Sequence, residues 1–167
     1  MPMTKATAKK RSSTAKPTFH CAVVVLDAAW AKALPQAARL VRRAARAAVA
    51  GARRGGTNSL NVALADDKTV RKLNARDRQK DKPTNVLSYP SDEKSFLGDV
   101  VLARQTVWRE AREQKKTPAD HLAHLVVHGT LHLLGHDHED DGEAERMEKL
   151  ERRVLAGLGV ADPYEVR

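Results

Sequence analysis

Hydrophobic residues recur along the chain with two alternating periods. Residues 20–26, HCAVVVL, are a β-branched run that predicts a buried strand. From Leu34 to Ala52 the period becomes helical. Leu34, Val41, Ala45 and Ala48 fall on one face, and Arg39, Arg42, Arg43 and Arg46 recur at helical offsets on another. Gly55-Gly56 ends that helix. Residues 59–65, SLNVALA, alternate so that Leu60, Val62 and Leu64 point one way, as in a half-buried strand. A short helix over 66–75 follows, opening at Asp66 or Asp67.

Residues 76–85, RDRQKDKPTN, are too polar for a core and predict a loop. Residues 86–89, VLSY, predict a short strand stopped by Pro90, and 97–103 predict another, followed by a helix over 104–115. Thr117-Pro118-Ala119-Asp120 is a helix start: a capping hydroxyl, proline in the first turn, and an acid near the positive helix end. That helix runs to Leu134 and stops at Gly135. A last helix covers 140–157, with Met147, Leu150, Val154 and Leu158 as its inner stripe. About four strands interleaved with five to six helices predict an α+β fold.

Composition narrows the class. The length of 167 residues suits one domain, placed at 19–167, and 41% hydrophobic residues exclude global disorder. No apolar stretch approaches the roughly 18 residues of a membrane helix. Cys21 is the single cysteine, so no internal disulfide exists; this fits a reducing compartment such as the cytoplasm. The net charge is +9, and five of the excess positive charges lie in residues 1–18, at Lys5, Lys9, Lys10, Arg11 and Lys16. That segment lacks an apolar core, so it is expected to be a disordered basic tail and not a secretory signal. The remaining +4 is compatible with an anionic partner. Six scattered aromatics provide no platform for stacking bases on a sheet.

Candidate chemistry concentrates at 128–138, HGTLHLLGHDH. His128 and His132 stand four apart on the predicted helix, on one face, and could share a Zn²⁺ ion. A turn at Gly135 brings a third histidine back. His138 is preferred to His136, because His-x₃-His-x₅-His is the zinc-peptidase spacing of H-E-x-x-H-x-x-G-x-x-H. Three nitrogens with one open position is a catalytic zinc arrangement. His121 and His124 lie earlier on the same helix and predict pocket-wall groups. Gly129 replaces the glutamate that serves as the peptidase's general base, so amide hydrolysis is disfavoured, whereas phosphodiester cleavage depends less on that carboxylate. Asp137 either orients an imidazole or shapes the turn.

Arg76, Arg78, Lys80 and Lys82 alternate in the polar loop, which is either a solvated loop or the basic wall of a site. HGTLHLLGHDH, with RQKDKPTNVLSYP upstream and LGDVVLA between them, resembles the YbeY family of rRNA-maturation endoribonucleases over about Val23 to Tyr164. The resemblance implies a mixed, mostly four-stranded sheet surrounded by helices, with a zincin-like zinc helix. It implies one Zn²⁺ per chain on His128, His132 and His138, with Arg78 as the functional arginine. It implies a metal-dependent, single-strand-specific endoribonuclease that matures the 3′ end of small-subunit rRNA and serves ribosome quality control. The expected partners are the small ribosomal subunit, single-stranded RNA and ribosome-associated proteins. Lys80 and Lys82 would steer the strand, and Arg39, Arg42, Arg43 and Arg46 offer a further RNA-binding stripe. The rival reading is a non-catalytic zinc-containing ribosome-assembly factor.

Overall fold

The computed structural model describes residues 18–56 and 58–165, so residues 1–17 of the expected tail lie outside the described residues. Four strands form one sheet in the order β1-β2-β4-β3: β1 (Phe19–Val25), β2 (Asn58–Ala65), β3 (Val86–Pro90) and β4 (Phe96–Ala103). β1 runs parallel to β2 and β2 parallel to β4, while β3 is antiparallel to β4, with Val86 opposite Leu102 and Pro90 opposite Gly98. Six helices accompany them: α1 (Ala29–Ala33), α2 (Ala37–Gly51), α3 (Asp67–Arg78), α4 (Arg104–Glu113), α5 (Pro118–Leu133) and α6 (Asp141–Gly157). The expected mixed sheet and helix number are therefore present.

The two sheet faces are covered unequally. On one, α3 sets Val70 against Ala65, Leu87, Val101 and Ala103. On the other lies the main core, where Leu60, Val62, Leu64, Val100 and Leu102 meet apolar residues of α2, α5 and α6. The expected inner stripe is buried: Val41, Ala45 and Ala48 on α2, and Leu34 just ahead of it. α5 is buried over most of its circumference, as a central helix must be. Its ends match the sequence signals. Thr117 Oγ1 accepts the Asp120 amide at 3.1 Å, and Gly135 takes the left-handed turn at φ 89°.

Three expectations are corrected. β1 is an edge strand with no buried residue, and Val24, Val25 and the following Leu26 are exposed, because among the described residues no strand pairs with its outer side. The helix expected over Leu34–Ala52 starts only at Ala37, after Pro35, and is the second of two helices. The first, α1, buries Trp30, whose Nε1 donates to the Ala65 carbonyl at 2.7 Å and whose ring meets Trp108 edge-on. α3 extends to Arg78, so Arg76 and Arg78 occupy its last turn and do not alternate along an extended loop. Gln79 ends the helix at φ 56°. Buried Asn74 then fastens the loop, donating to the Lys82 carbonyl at 2.9 Å while its own carbonyl accepts the Lys80 amide at 3.2 Å.

Candidate metal centre

The last two turns of α5 and the segment beyond Gly135 bring three imidazoles together. His128, His132 and His138 each offer a ring nitrogen, all within 4.8 Å of one another. His128 Nε2 and His132 Nε2 face each other at 3.0 Å. The ring centroids of His138 lie 5.7 and 5.1 Å from those of His128 and His132. Burial, then the neighbouring His128 and His138, lowers the His132 pKa, which favours the neutral ring a metal requires. His136 instead lines a different hollow, beside Arg53 and Arg146. Asp137 Oδ1 accepts the His138 amide at 2.7 Å and stands 3.9 Å from His138 Nδ1, so it shapes the turn.

Glu151 lies behind the cluster, fully buried on α6. Its Oε1 is 2.5 Å from His128 Nδ1, its Oε2 is 3.1 Å from His124 Nε2, and Tyr164 donates its hydroxyl to Oε2. Burial alone would raise this carboxyl. The hydrogen bonds from His124 and His128 outweigh it and bring the pKa from 4.5 down to about 2. Burial, then the Glu151 contact, pushes the Tyr164 phenol well above its ordinary value. The pairing fixes the proton of His128 on Nδ1 and leaves Nε2 for an ion. His124, His128 and Glu151 also lie close enough to form a ligand group. That group would claim the Nδ1 side of His128, whereas the three-histidine group uses the side facing His132. His124, held by Glu151, lines a separate hollow with Lys116, Asp120 and Asp162. His121, 2% exposed, bonds Glu110 at 2.7 Å, and Asn85 donates to the same carboxylate.

The donor set fits a borderline-soft cation such as zinc: three imidazoles, one backed by a buried carboxylate, and no thiolate. Gly129 explains the lost peptidase glutamate in steric terms. A Cβ there would lie 3.0 Å from Val100 Cγ1, 3.1 Å from Ser88 Oγ and 3.3 Å from Val86 Cγ2. α5 rides directly on β3 and β4 at this point, and Ser88 Oγ donates to the Gly129 carbonyl at 3.1 Å.

The same Ser88 links the cluster to the basic residues. Arg78 Nη2 donates to the Ser88 carbonyl at 2.9 Å, and the guanidinium lies 5.9 Å from the Tyr89 ring centroid. Arg78, Arg76, Asp77, Ser88 and Tyr89 line an open hollow of about 520 Å³. Asp77 is held by Arg76 at 2.6 Å and accepts the Tyr89 hydroxyl at 2.9 Å, and these contacts keep its pKa low. Lys80 and Lys82 are exposed in the adjoining loop. The arginines of α2 are all exposed but not equivalent. Arg42 Nε donates to the Cys21 carbonyl at 3.2 Å and Arg46 stacks 5.6 Å from the Phe19 ring, so both lean on β1. Arg39 and Arg43 extend from the same helix without joining the histidine cluster.

Glu151 is the residue that sequence reasoning missed. It lies between Leu150 and Arg152 in a charged helix, yet its offsets from Met147 and Val154 put it on the apolar stripe, and a carboxylate there signals a buried partner.

Residues 27–159 match the family described as Endoribonuclease YbeY. An Endoribonuclease YbeY from Azorhizobium caulinodans is 55% identical over 150 residues, covering 85% of this chain and 94% of the relative. One from Paramagnetospirillum magneticum is 51% identical over 158 residues, covering 88% and 96%. A Thermotoga maritima protein solved in solution shares the fold, with a TM-score of 0.53 and 24% identity over 87% of this chain and 96% of that one. With a family model matching residues 27–159 and relatives more than half identical over most of their length, the chain belongs to the YbeY endoribonuclease family.

Proposed function

We propose that the chain is a zinc-dependent endoribonuclease that cuts single-stranded RNA, acting in the cytoplasm on the 3′ end of small-subunit rRNA and in ribosome quality control. The observation that carries this is the convergence of His128, His132 and His138 at one end of α5, with Glu151 fixing the His128 tautomer and Arg78 tied to the strand beneath. These three histidines are the ligands in this reading. Zinc held there supplies Lewis acidity at the scissile phosphate.

The protein's own groups do the rest. Arg78 spends one amino group on the Ser88 carbonyl, which aims the guanidinium while leaving its other N–H groups for a phosphate. Charge developing on phosphoryl oxygens is stabilised by that fixed cation without reorganisation. Lys80 and Lys82, on a loop pinned by Asn74, draw the strand towards Arg78. The absence of a carboxylate at 129 removes the group that would protonate a leaving amine, which disfavours peptide hydrolysis; chelator-sensitive cleavage of casein would revive it.

The test joins metal analysis to a cleavage map. Wild-type protein is expected to carry one zinc per chain and to cut a defined rRNA precursor in its single-stranded segments. His128→Ala should lose both properties; cleavage persisting in that variant would reveal a contaminating nuclease and remove the reading. Arg78→Glu separates catalysis from assembly. Loss of cleavage with zinc content retained supports the nuclease. A wild-type protein that binds ribosomal subunits but cuts nothing supports a non-catalytic assembly factor, for which the exposed stripe of Arg39, Arg42, Arg43 and Arg46 together with the basic tail would be the contact.

A further inference from the structure

α6 carries Arg146, Lys149 and Arg153 on one exposed face, at offsets of three, four and seven residues. The C-terminal end of α2 is set against this face. A Cβ at Gly51 would stand 2.5 Å from Val154 Cγ2, so glycine permits the close approach of the two helices. Arg153 Nη2 donates at 3.2 Å to the Gly51 carbonyl, one of those left open at the end of α2. Two residues on, Arg53 takes a left-handed conformation at φ 55°, with its amide on the Ala50 carbonyl at 3.0 Å. It lies just beyond the end of α2, so the left-handed turn and not the helical period sets where its backbone goes.

Between these elements lies a hollow of about 370 Å³, lined by Arg53, Arg146, Lys149, Arg153 and His136, and by no carboxylate. Lys149 pairs with Glu145 at 3.3 Å, but both side chains are 69% exposed, so the pair gives way to a competing anion at little cost. His136 precedes His138 by two residues, which limits their Cα separation to about 7 Å. The cationic hollow therefore adjoins the turn that delivers the third imidazole. No Phe, Tyr or Trp lines it, so it has nothing on which a base could stack. Guanidinium forks and an ammonium without aromatic or acidic neighbours suit phosphate and not base edges.

We propose that this hollow is a second phosphate-binding subsite, gripping the RNA backbone some nucleotides away from the bond cut at the histidine cluster. The proposal rests on the endoribonuclease reading. It makes the strand run between two cationic anchors, Arg78 beside β3 and the Arg53–Lys149 hollow beside His136.

The experiment uses the full chain and a fluorescein-labelled, 2′-O-methylated oligouridylate, with binding followed by anisotropy across a salt series. Arg53→Gly with Lys149→Gln removes two anchors without threatening the fold, because glycine is favoured at φ 55° and Lys149 is exposed. Lys115→Gly with Lys32→Gln is the matched control. It removes the same charge, and Lys115 likewise ends a helix at φ 55°. Each lost phosphate contact should flatten the slope of log affinity against log salt by about 0.7, hence by about 1.4 for the double variant. The control should keep the wild-type slope. A double variant with the wild-type slope, or a control that flattens equally, overturns the subsite. Failure of the nuclease reading is seen elsewhere: wild type that takes up zinc and cuts no RNA also overturns the subsite's role, through cleavage and not through slope.

Discussion

Replacing Glu151 by Gln preserves the shape of a fully buried side chain while removing its charge. Three donors converge on its two oxygens: His128 on Oε1, His124 and Tyr164 on Oε2. An amide offers one acceptor and one NH₂ group, so in either orientation a donor faces a donor or a ring must change tautomer. If Oε1 is kept for His128, the charge-assisted bond becomes a neutral one, a loss of about 1–1.5 kcal/mol. Each 1.4 kcal/mol is tenfold in affinity, and lost support behind a metal-bound histidine weakens binding about 10- to 100-fold. Zinc affinity should therefore fall by at least about tenfold in E151Q, read by competition against a chromophoric chelator. Tyr164→Phe keeps the carboxylate and His128's partner, so its zinc affinity should fall less. Circular dichroism and thermal unfolding of the metal-free proteins separate loss of the fold from loss of the ligand's orientation. Equal zinc affinity in folded E151Q and wild type would refute the claim that this carboxylate positions His128.

Gly129→Ala should lose up to about 2 kcal/mol in urea unfolding, overpacking against Val100 and Val86 exceeding the gain in helix propensity. Gly129→Glu should lose more, since it also places a carboxylate against the sheet, and wild-type stability there would dismiss the steric account of the missing glutamate. Asp66→Ala should cost about 0.5–2 kcal/mol by removing the cap on the Thr69 amide. The Thr69 hydrogen bonds hold the Asp66 carboxyl below its ordinary 3.8, so this contribution is complete above that pH and fades as pH falls through the folded value. An unchanged wild-type-to-variant difference at low pH would contradict that assignment. Burial pushes the Cys21 thiol from 9.0 up to about 11, so iodoacetamide should alkylate it at least about tenfold more slowly at neutral pH than an ordinary thiol, the scarcer thiolate being partly offset by its greater nucleophilicity. Reaction at the ordinary rate would show that the thiol is not shielded.

Elements with both a periodic face and a chemical end signal were legible in the sequence. α5 had Thr117, Pro118 and Gly135 as its punctuation, and β2 alternated strictly. The three histidines were legible because a helix and its terminating turn fix their relative positions locally. What failed depended on contacts distant in sequence. A β-branched run reads the same in a central strand and an edge strand, so β1 gave no sign that its outer side is unpaired. The end of α3, Arg76-Asp77-Arg78, has no apolar residue to mark it as helical. Glu151 is buried only because α6 crosses α5 beside His128, which no window of local sequence contains.

The unpaired margin of β1 changes what the α2 arginines are for. Among the described residues no strand covers this edge, and an edge bearing exposed Val24 and Val25 is a template on which another chain could add a strand and start a stack. Arg42 occupies the Cys21 carbonyl and Arg46 spreads over Phe19, setting bulk and positive charge where an incoming backbone would have to register. Part of the basic surface that reads as affinity for RNA thus also acts as a guard against self-aggregation.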